Sequence, residues 1–441
     1  MNVRTAARAV FDAALAAADV QPLVLRALGH ISPDRGRLIV VGAGKASGAM
    51  AAAVEEVWLE RIGAGLVVVK DGHGAPTRRV RIVEAGHPVP DERGLRAARE
   101  ILSLASGAGA DDLVLALISG GASALTPAPA PGITLADKQA TTRLLLAAGA
   151  DIGQLNAVRK HGSAFKGGQL ARSAAPARVV ALLLSDVIGD PIDVIGSGPT
   201  APDASTFGDA LAILGQFDLR GRAPASVIAR LERGASGEIA ETPKPDDPLF
   251  ARVENVVIGN NEIVVDAAAA RAAALGYRPH VLTRALHGEA RDAARDLVAL
   301  GRAVAGGRGP VAPPACLIAA GETTVTVRGK GRGGRCQELA LAAALEIEGM
   351  RGIAVLAAGT DGTDGPTDAA GAIADGETAL RARAAGQDPQ GRLDDNDSHA
   401  FFAELGDLIL TGPTNTNLLD LYLVLVGSGP ESASPLPAIT A

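Results

Sequence analysis

The densest group of chemically reactive side chains lies in one glycine-rich segment, Gly359 to Gly371, with the sequence GTDGTDGPTDAAG. It follows an apolar run, 353–358, that has the composition of a buried parallel strand. In open α/β sheets, ligands bind beyond the carboxyl ends of such strands, where carboxylates can hold Mg²⁺ or accept a proton. The alternative is a polar turn that forms Asx-turns and helix caps. The polar side chains of the segment are Thr360, Asp361, Thr363, Asp364, Thr367 and Asp368.

A second chemical signal is the turn GAGKAS at 42–47, which connects an apolar strand to a helix. A helix N-terminus attracts anions through its free N–H groups and its dipole, and Lys45 adds a positive charge. The spacing does not match a Walker A loop, and a dinucleotide GxGxxG motif requires glycine where Ser47 stands. We therefore expect an anion site of another kind; the alternative is a tight turn with a solvated lysine.

A similar cationic loop, GKGRGGRCQE at 329–338, ends where a helix is expected to begin. Arg335 at this position can make a bidentate contact with a carboxylate or a phosphate. The flanking glycines allow the main chain to approach a ligand closely. The alternative is a flexible hairpin with solvated charges.

Three further segments could bind phosphates. The strand-end turn SGGAS at 119–123 offers hydroxyls and open amides, and GSG at 196–198 is similar. In the basic stretch 156–168, Lys160 and Lys166 could neutralise a polyphosphate or simply cover a helix face. His87 lies in a proline-rich turn and could line a pocket.

Asp186 and Asp190 follow another predicted strand, in the segment SDVIGD at 185–190. An aspartate at a strand terminus is a common Mg²⁺ ligand in phosphoryl transfer. The alternative is that either carboxylate caps a helix. No Cys or His spacing indicates a zinc site.

The elements that must position these loops repeat as strand, glycine-rich turn and helix, which predicts an α/β protein whose N-terminal half is a doubly wound, largely parallel sheet. The proline-rich stretch 241–248 predicts a linker. We therefore expect domains at 1–245 and 246–441, similar in design, with the active site in the cleft between them. The predicted strands are 37–41, 66–69, 113–118, 179–184, 253–258, 316–320, 353–358, 408–410 and 421–426.

Composition excludes several other classes of protein. The 441 residues carry a net charge of -7 and only 2% aromatics, so neither a basic nor a stacking surface for nucleic acid is expected. Two cysteines make no disulfide framework and fit a reducing cytoplasm. The N-terminal segment has helical rather than signal-peptide spacing, and no apolar run of about 20 residues predicts a membrane span.

The chain resembles the class II glycerate kinase family, whose C-terminal part is the MOFRL domain, here about 315–425. The resemblance covers nearly the whole chain and rests on motifs that occur in the same order. Each is modest alone, and eight together are specific. They are VVGAGKASGAM (40–50), AGHPVPDERG (85–94), LISGGASAL (117–125), LNAVRKHGSAFKGGQLA (155–171), LLSDVIGDPIDVIGSGPTAPD (183–203), AAGETTVTVRGKGRGGRCQELAL (319–341), AAGTDGTDGPTDAAGA (357–372) and TGPTNTNLLDL (411–421).

This resemblance implies Mg²⁺-dependent transfer of the ATP γ-phosphoryl group to D-glycerate, giving 2-phosphoglycerate. It also implies that Lys45 and Arg335 face each other across the cleft. Gly162 departs from the family pattern, where we expect a larger apolar residue. The alternative function is an NAD(P)H-dependent hydroxypyruvate reductase. The partners are ATP and D-glycerate; a homodimer is one possible assembly.

With that function, each loop receives an expected role. Lys45 and Arg335 hold the substrate carboxylate and the transferred phosphoryl group, Asp186 or Asp190 positions Mg²⁺, and Asp361 orients or deprotonates the 2-hydroxyl. The catalytic base remains open among the three aspartates. Ser47, Thr360 and Asp364 are expected beside the substrate. The residues expected to bind the nucleotide are Gly120, Gly121, Ser123, Lys160, Gly196, Ser197, Gly198 and Asn260.

Overall fold

A computed structural model describes residues 2–32 and 36–428. Its contacts divide the chain into two compact units. The N-terminal unit comprises Val20–Asn260 together with Asn415–Asn417, and the C-terminal unit comprises the residues up to Asp19, Asn261–Thr414 and the residues from Leu418.

The described residues form twelve β-strands, six in each of two sheets. The first sheet has the order β3-β2-β1-β4-β5-β6 and the second the order β11-β10-β9-β12-β8-β7. The strands are β1 (Leu38–Ala43), β2 (Ile62–Lys70), β3 (Arg81–Ala85), β4 (Leu113–Ile118), β5 (Arg178–Leu184), β6 (Val253–Gly259), β7 (Arg278–Leu286), β8 (Ala315–Gly321), β9 (Ile353–Gly359), β10 (Gly371–Asp375), β11 (Leu408–Ile409) and β12 (Asp420–Val426).

Sixteen α-helices accompany these strands in the described ranges. Three of them, α6, α7 and α9, begin with capping boxes in which the N-cap and N3 side chains each bond the other's backbone N–H. The helices are α1 (Val3–Ala17), α2 (Val20–Leu28), α3 (Ser47–Trp58), α4 (Glu92–Ser106), α5 (Ala122–Leu125), α6 (Leu135–Ala147), α7 (Ile152–His161), α8 (Gln169–Ala174), α9 (Phe207–Gln216), α10 (Ala225–Ala235), α11 (Asn261–Ala274), α12 (Ala290–Ala305), α13 (Arg335–Glu346), α14 (Thr378–Ala384), α15 (Pro389–Asp394) and α16 (Ser398–Leu405).

The N-terminal unit has the predicted doubly wound parallel sheet, because all pairings from β1 to β6 are parallel. The central strands β1 and β4 are buried along their whole length, which explains their continuous Val, Leu and Ile runs. The edge strand β3 is exposed at Arg81 and Glu84. Strand order reverses direction between β1 and β4, and this reversal point is where doubly wound sheets bind their ligands.

The C-terminal unit differs from the expectation that it would repeat the first. Only β7 and β8 pair in parallel, whereas β12 runs antiparallel between β8 and β9. A strand that is antiparallel to its neighbours does not need the crossover helix that joins parallel strands. Strand β12 therefore enters the sheet at the edge where β8 and β9 end. The carboxyl ends of β8 and β9 therefore flank the amino end of β12, where Asp420 pairs with Gly321 and Gly359.

The division of the chain also differs from the predicted boundary at 245/246. Strand β6 follows the proline-rich stretch but pairs with β5, so it completes the first sheet. Helix α1 belongs to the C-terminal unit, where it packs on α11, β9 and β12. Pairing and packing over long sequence separations set these limits, and a proline-rich segment does not reveal them.

Candidate active site

The loops at the reversal point of the first sheet are built from the ends of β1 and β4. Lys45 follows β1, and its backbone N–H donates to Gly120 O at 2.9 Å. Ser119 follows β4, and its N–H donates to Ala43 O at 3.1 Å. The two turns are therefore tied together, and the half-exposed Lys45 side chain extends from a fixed backbone.

The backbone N–H groups of the β1 turn itself are engaged, whereas those of Gly48 and Ala49, in the first turn of α3, have no protein acceptor among the described residues. The N–H groups of Gly44, Lys45, Ala46 and Ser47 donate to Val68 O, Gly120 O, Ser119 Oγ and Gly44 O. Ser47 is fully buried, and its hydroxyl donates to Leu117 O at 3.0 Å. An anion beside this turn would contact the Lys45 side chain or the first N–H groups of α3, and Ser47 braces the turn from inside.

The neighbouring β4 turn is the more open of the two. Among the described residues, the backbone N–H groups of Gly120, Gly121 and Ser123 have no protein acceptor. Gly121 adopts φ 87°, and a Cβ atom there would lie 3.1 Å from His87 Cδ2 and 3.7 Å from Lys45 Cγ. Glycine at this position therefore keeps the turn close to both side chains, and its amides can bind an anion.

Two aspartates lie after β5, as predicted, beside amide side chains. Asp186 accepts a hydrogen bond from Asn417 Nδ2 at 3.1 Å, and Asp190 accepts one from Asn260 Nδ2 at 2.5 Å. A Cβ atom at Gly120 would lie only 2.1 Å from Asp186 Oδ2, so this glycine leaves room for the carboxylate. Asp190 itself has φ 54°, a left-handed conformation that aspartate tolerates.

Several residues predicted to bind nucleotide are instead engaged inside the N-terminal unit. Lys160 is buried and lies 3.3 Å from Asp203 and 3.2 Å from Asp193. Its charge is therefore neutralised within the protein. The segment Gly196-Ser197-Gly198 is folded on itself, with the N–H groups of Ser197 and Gly198 donating to Val194 O and Ile195 O. Only the Ser197 hydroxyl reaches toward the open turn, at 3.0 Å from Ser123 Oγ.

A cavity of about 440 Å³ lies within the N-terminal unit, and His87, as predicted, lines it. Four cations also line it: Lys138 and Arg143 from α6, Arg159 from α7, and Lys166. Burial and, to a smaller extent, the positive charge of Arg159 lower the pKa of Lys138 to about 7. The sequence pattern indicates Lys166 but not the other three, because Lys138 and Arg143 have the spacing of ordinary helix-surface residues.

In the C-terminal unit, Arg335 begins α13 and is held by two carboxylates. Its Nε and Nη2 donate to Asp420 at 2.5 and 3.0 Å, and its Nη1 donates to Glu322 at 2.6 Å. Burial lowers the pKa of Arg335, but the hydrogen bonds to Asp420 outweigh it and raise the pKa above its ordinary value. These contacts use three of the five guanidinium N–H groups, which leaves two for an anionic ligand.

Asp420 was missed as a site residue. It is buried, it begins β12, and it also accepts a hydrogen bond from Tyr422 Oη at 3.0 Å. The only sequence signal is an acidic residue at the start of the apolar strand DLYLVLV. Sequence alone could not show that this strand runs antiparallel and so brings Asp420 to the ends of β8 and β9.

Asp364 and Thr360, which were predicted beside the substrate, are buried and make structural contacts within the C-terminal unit. The Asp364 carboxylate accepts from the N–H groups of Cys336 and Gln337 at 3.1 and 2.8 Å and so caps α13. Burial raises the pKa of Asp364 to about 6, against the hydrogen bond from Gln337. Thr360 is buried and donates to Leu419 O at 2.7 Å. Much of the acidic loop therefore agrees with the alternative interpretation, a polar turn that forms Asx-turns and helix caps.

Asp361, by contrast, is half-exposed beside the strand ends. Its Oδ1 accepts from Thr363 N at 3.1 Å, which forms an Asx-turn. A Cβ atom at Gly359 would lie 3.3 Å from this oxygen and 3.1 Å from Asp420 Oδ1. Asp361, Asp420 and Arg335 therefore share one edge of the second sheet.

Comparison with known proteins places this arrangement in a family. Residues 6–232 match the model described as a domain of unknown function, DUF4147, and residues 315–420 match the MOFRL family. The Thermotoga maritima glycerate kinase structure superposes with a TM-score of 0.88 at 42% identity, covering 96% of this chain and 99% of that one. The chain belongs to the class II glycerate kinase family.

Two relatives of this family member carry different names. The Pyrococcus horikoshii glycerate 2-kinase is 40% identical, with 97% of this chain and 98% of the relative covered. An Agrobacterium vitis protein whose assigned name, hydroxypyruvate reductase, is provisional is 43% identical, with 97% and 95% covered. The chain therefore belongs to this family whichever of the two names is correct.

Two other kinds of feature are absent from the described part of this family member. No three side chains of the kinds that bind metals are grouped there. Residues 2–32 and 36–428 also contain no helix with the length and apolarity needed to cross a bilayer.

Proposed function

We propose that the protein is a D-glycerate 2-kinase that transfers the γ-phosphoryl group of ATP to the 2-hydroxyl of D-glycerate. This proposal rests on the near full-length similarity to glycerate kinases, which is 42% identity and a TM-score of 0.88 for the Thermotoga maritima enzyme. In this reaction the substrate oxygen forms a bond to the γ-phosphorus while the bond to the ADP oxygen breaks. The hydroxyl proton passes to a base.

Lys45 and Arg335 are the proposed anion-binding side chains. Lys45 extends from a turn whose four N–H groups are all engaged, so its backbone is held in place. The two remaining N–H groups of Arg335 suit bidentate recognition of a carboxylate or phosphoryl oxygen pair. Phosphoryl transfer depends on neutralising charge and aligning groups, and a cation fixed before substrate binds requires little reorganisation.

Asp361 is the proposed base for the 2-hydroxyl. Its Asx-turn fixes the carboxylate, and Asp420, the neighbouring acid, is already occupied by Arg335 and Tyr422. Asp361 is therefore better suited than Asp420 to accept a proton.

Mg²⁺ fits the donor set of Asp186, with Asp190 as the second carboxylate. Magnesium prefers hard oxygen ligands and commonly uses one or two carboxylates together with substrate phosphates. Asp186 lies against Gly120, whose N–H belongs to the open β4 turn. When bound, the ion neutralises phosphate charge, and Asn417 and Asn260 orient the two carboxylates.

The β1 turn argues against the alternative function of a hydroxypyruvate reductase. A dinucleotide fingerprint requires glycine where Ser47 stands, and the N–H groups of 44–47 are all engaged within the protein. Asp71, which follows β2 where a ribose-binding acid would stand, is held by Arg93 at 2.7 and 2.8 Å.

The test is a ³¹P NMR assay of the full-length protein with Mg²⁺, ATP and D-glycerate, with a parallel assay of NADH and hydroxypyruvate. We expect a 2-phosphoglycerate signal and no oxidation of NADH. A 3-phosphoglycerate signal would keep the kinase and change the acceptor hydroxyl. NADH oxidation without ADP formation would replace the kinase with the reductase.

A further inference from the structure

The cavity of the N-terminal unit has an unusual balance of charge. Four cations line it, while no Asp or Glu is among its lining residues in the described part of the chain. Neither Arg143 nor Arg159 forms an ion pair with a described carboxylate. Both lysines donate to main-chain carbonyls instead, Lys166 to Ser123 O at 2.6 Å and Lys138 to Pro127 O at 2.7 Å.

Lys166 shows the electrostatic consequence of this arrangement. Its residue is only 1% exposed. Burial lowers the pKa of Lys166, and the positive charges of Lys138 and Arg159 lower it further. A buried cation surrounded by like charge is unfavourable unless an opposite charge joins it. The cavity is therefore electrostatically complementary to a polyanion.

The rim of the cavity has a different chemical character from its interior. Val89 and Leu146 line it and are 65% and 57% exposed, high values for large apolar side chains. Pro88 and Pro90 extend the same apolar surface. A ligand that matches both parts has a flat apolar group joined to several negative charges, as a nucleoside triphosphate has.

The cavity also adjoins the open β4 turn. Gly121 and Ser123 line it, and their N–H groups have no protein acceptor among the described residues. Gly121 lies beside Lys45, the proposed anion-binding residue. Phosphates in the cavity would therefore continue toward the side chain that handles the transferred group.

We propose that this cavity is the binding site of the nucleoside triphosphate, with Lys138, Arg143, Arg159 and Lys166 on its phosphates and the Val89 and Leu146 rim on its base. The identity of the nucleotide as the kinase co-substrate rests on the proposed function. The site replaces Lys160 and the 196–198 turn, which the sequence had suggested for this role.

The test measures equilibrium binding of the non-hydrolysable analogue AMP-PNP, and separately of inorganic tripolyphosphate, to the full-length protein without D-glycerate. Arg159→Gln and Arg143→Gln remove cavity cations, and Leu146→Asn changes the rim. Arg99→Gln removes an exposed charge of the same unit outside the cavity and serves as the matched control. Circular dichroism checks that each variant is folded.

We expect Arg159→Gln to raise the Kd for both ligands about tenfold, because it removes a hydrogen bond to a charged group. Arg143→Gln should have a smaller effect because Arg143 is exposed. Leu146→Asn should weaken AMP-PNP alone, and Arg99→Gln should leave both Kd values unchanged. An unchanged AMP-PNP Kd in both arginine variants overturns the proposal, even if tripolyphosphate binding weakens.

The outcomes also separate this inference from the proposed function. If the wild-type protein does not phosphorylate D-glycerate but AMP-PNP binding still depends on Arg159, the kinase is wrong and the nucleotide site stands. If the wild-type protein is a kinase and the KM for ATP is unchanged in Arg159→Gln and Arg143→Gln, the kinase stands and the site is wrong.

Discussion

Arg335 in the C-terminal unit and the cavity cations in the N-terminal unit have opposite electrostatic surroundings. In the C-terminal unit, Arg335 is bonded to Asp420 and Glu322, so its charge is neutralised by the protein itself. In the N-terminal unit, the cavity cations face one another and main-chain carbonyls, with no carboxylate among the lining residues described. The charge of Arg335 is therefore compensated without a ligand, whereas the charges of the cavity cations are compensated only when an anionic ligand binds.

This difference separates two functions that cationic residues can have in a phosphotransferase. A neutralised arginine has a fixed orientation, so its remaining N–H groups can direct a reacting group accurately. An uncompensated cluster has a high affinity for polyanions and tolerates variation in how they bind. We therefore expect Arg335 to affect turnover and folding together, and the cavity to affect nucleotide affinity.

The largest expected effect concerns Arg335. Arg335→Ala should lower turnover by on the order of 100-fold or more, because a preorganised donor to the developing charge is lost. It should also cost about 3 kcal/mol of stability, because the buried Asp420 loses its partner. Steady-state kinetics and thermal unfolding measure the two effects.

The matched comparison is Lys45→Ala. Lys45 is half-exposed, so its loss should lower turnover to a similar extent and change stability by less than about 0.5 kcal/mol. Arg335→Lys, which retains the charge but not the fork geometry, should recover most of the stability and little of the turnover. Equal thermal midpoints for Arg335→Ala and Lys45→Ala would contradict the structural role assigned to Arg335.

A moderate effect is expected from pH, through Lys138. Its pKa of about 7 means that the free protein loses this charge as pH rises through neutrality. Bound phosphate favours the charged form, so above pH 7 the complex holds more protons than the free protein and affinity falls with rising pH. His87, Arg143, Arg159 and Lys166 line the same cavity.

Between pH 6.5 and 8.5, we expect the Kd for AMP-PNP to rise about fivefold because Lys138 loses its proton in the free protein. The ligand also titrates in this range, so the informative quantity is the difference between the wild-type protein and Lys138→Met, measured by calorimetry at each pH. Parallel pH profiles for the two proteins would show that Lys138 does not face the phosphates.

The smallest effect is expected at Gly162, outside both charge clusters. Its φ of -89° suits any residue, and a Cβ atom there would lie 3.5 Å from Val158 O and 3.8 Å from Ile133 Cδ1, which is ordinary contact. Gly162→Ala should stabilise the protein by about 0.4–1 kcal/mol, because it restricts the unfolded chain. A lower thermal midpoint would show that the backbone here is less permissive than its geometry indicates.

Most elements of the first sheet could be predicted from local sequence. The predicted strand 113–118 matches β4, and the predicted strand 179–184 begins one residue after β5 does and ends with it. Both strands have continuous apolar runs, as buried parallel strands do. Strands β3, β7 and β10 were not predicted, because they lie at or near sheet edges and their residues lack a continuous apolar run.

The candidate site was predictable only in part. The motifs located Lys45, Arg335 and the aspartates after β5, but they did not separate reactive groups from structural ones. Asp364 and Asp361 are three residues apart in one acidic loop. The first caps α13, while the second stays half-exposed at the sheet edge. That difference depends on the position of a helix thirty residues earlier in the chain.

The sequence by itself determined the α/β class, the parallel first sheet and the loops that carry charge, because each depends on local periodicity and turn chemistry. Only the tertiary structure decided which charges are neutralised. Asp420 reaches Arg335 through an antiparallel strand, and Asp203 reaches Lys160 across 43 residues. The cavity cations have no such partner among the described residues. Compensation of charge depends on distances in space, which a linear motif does not encode.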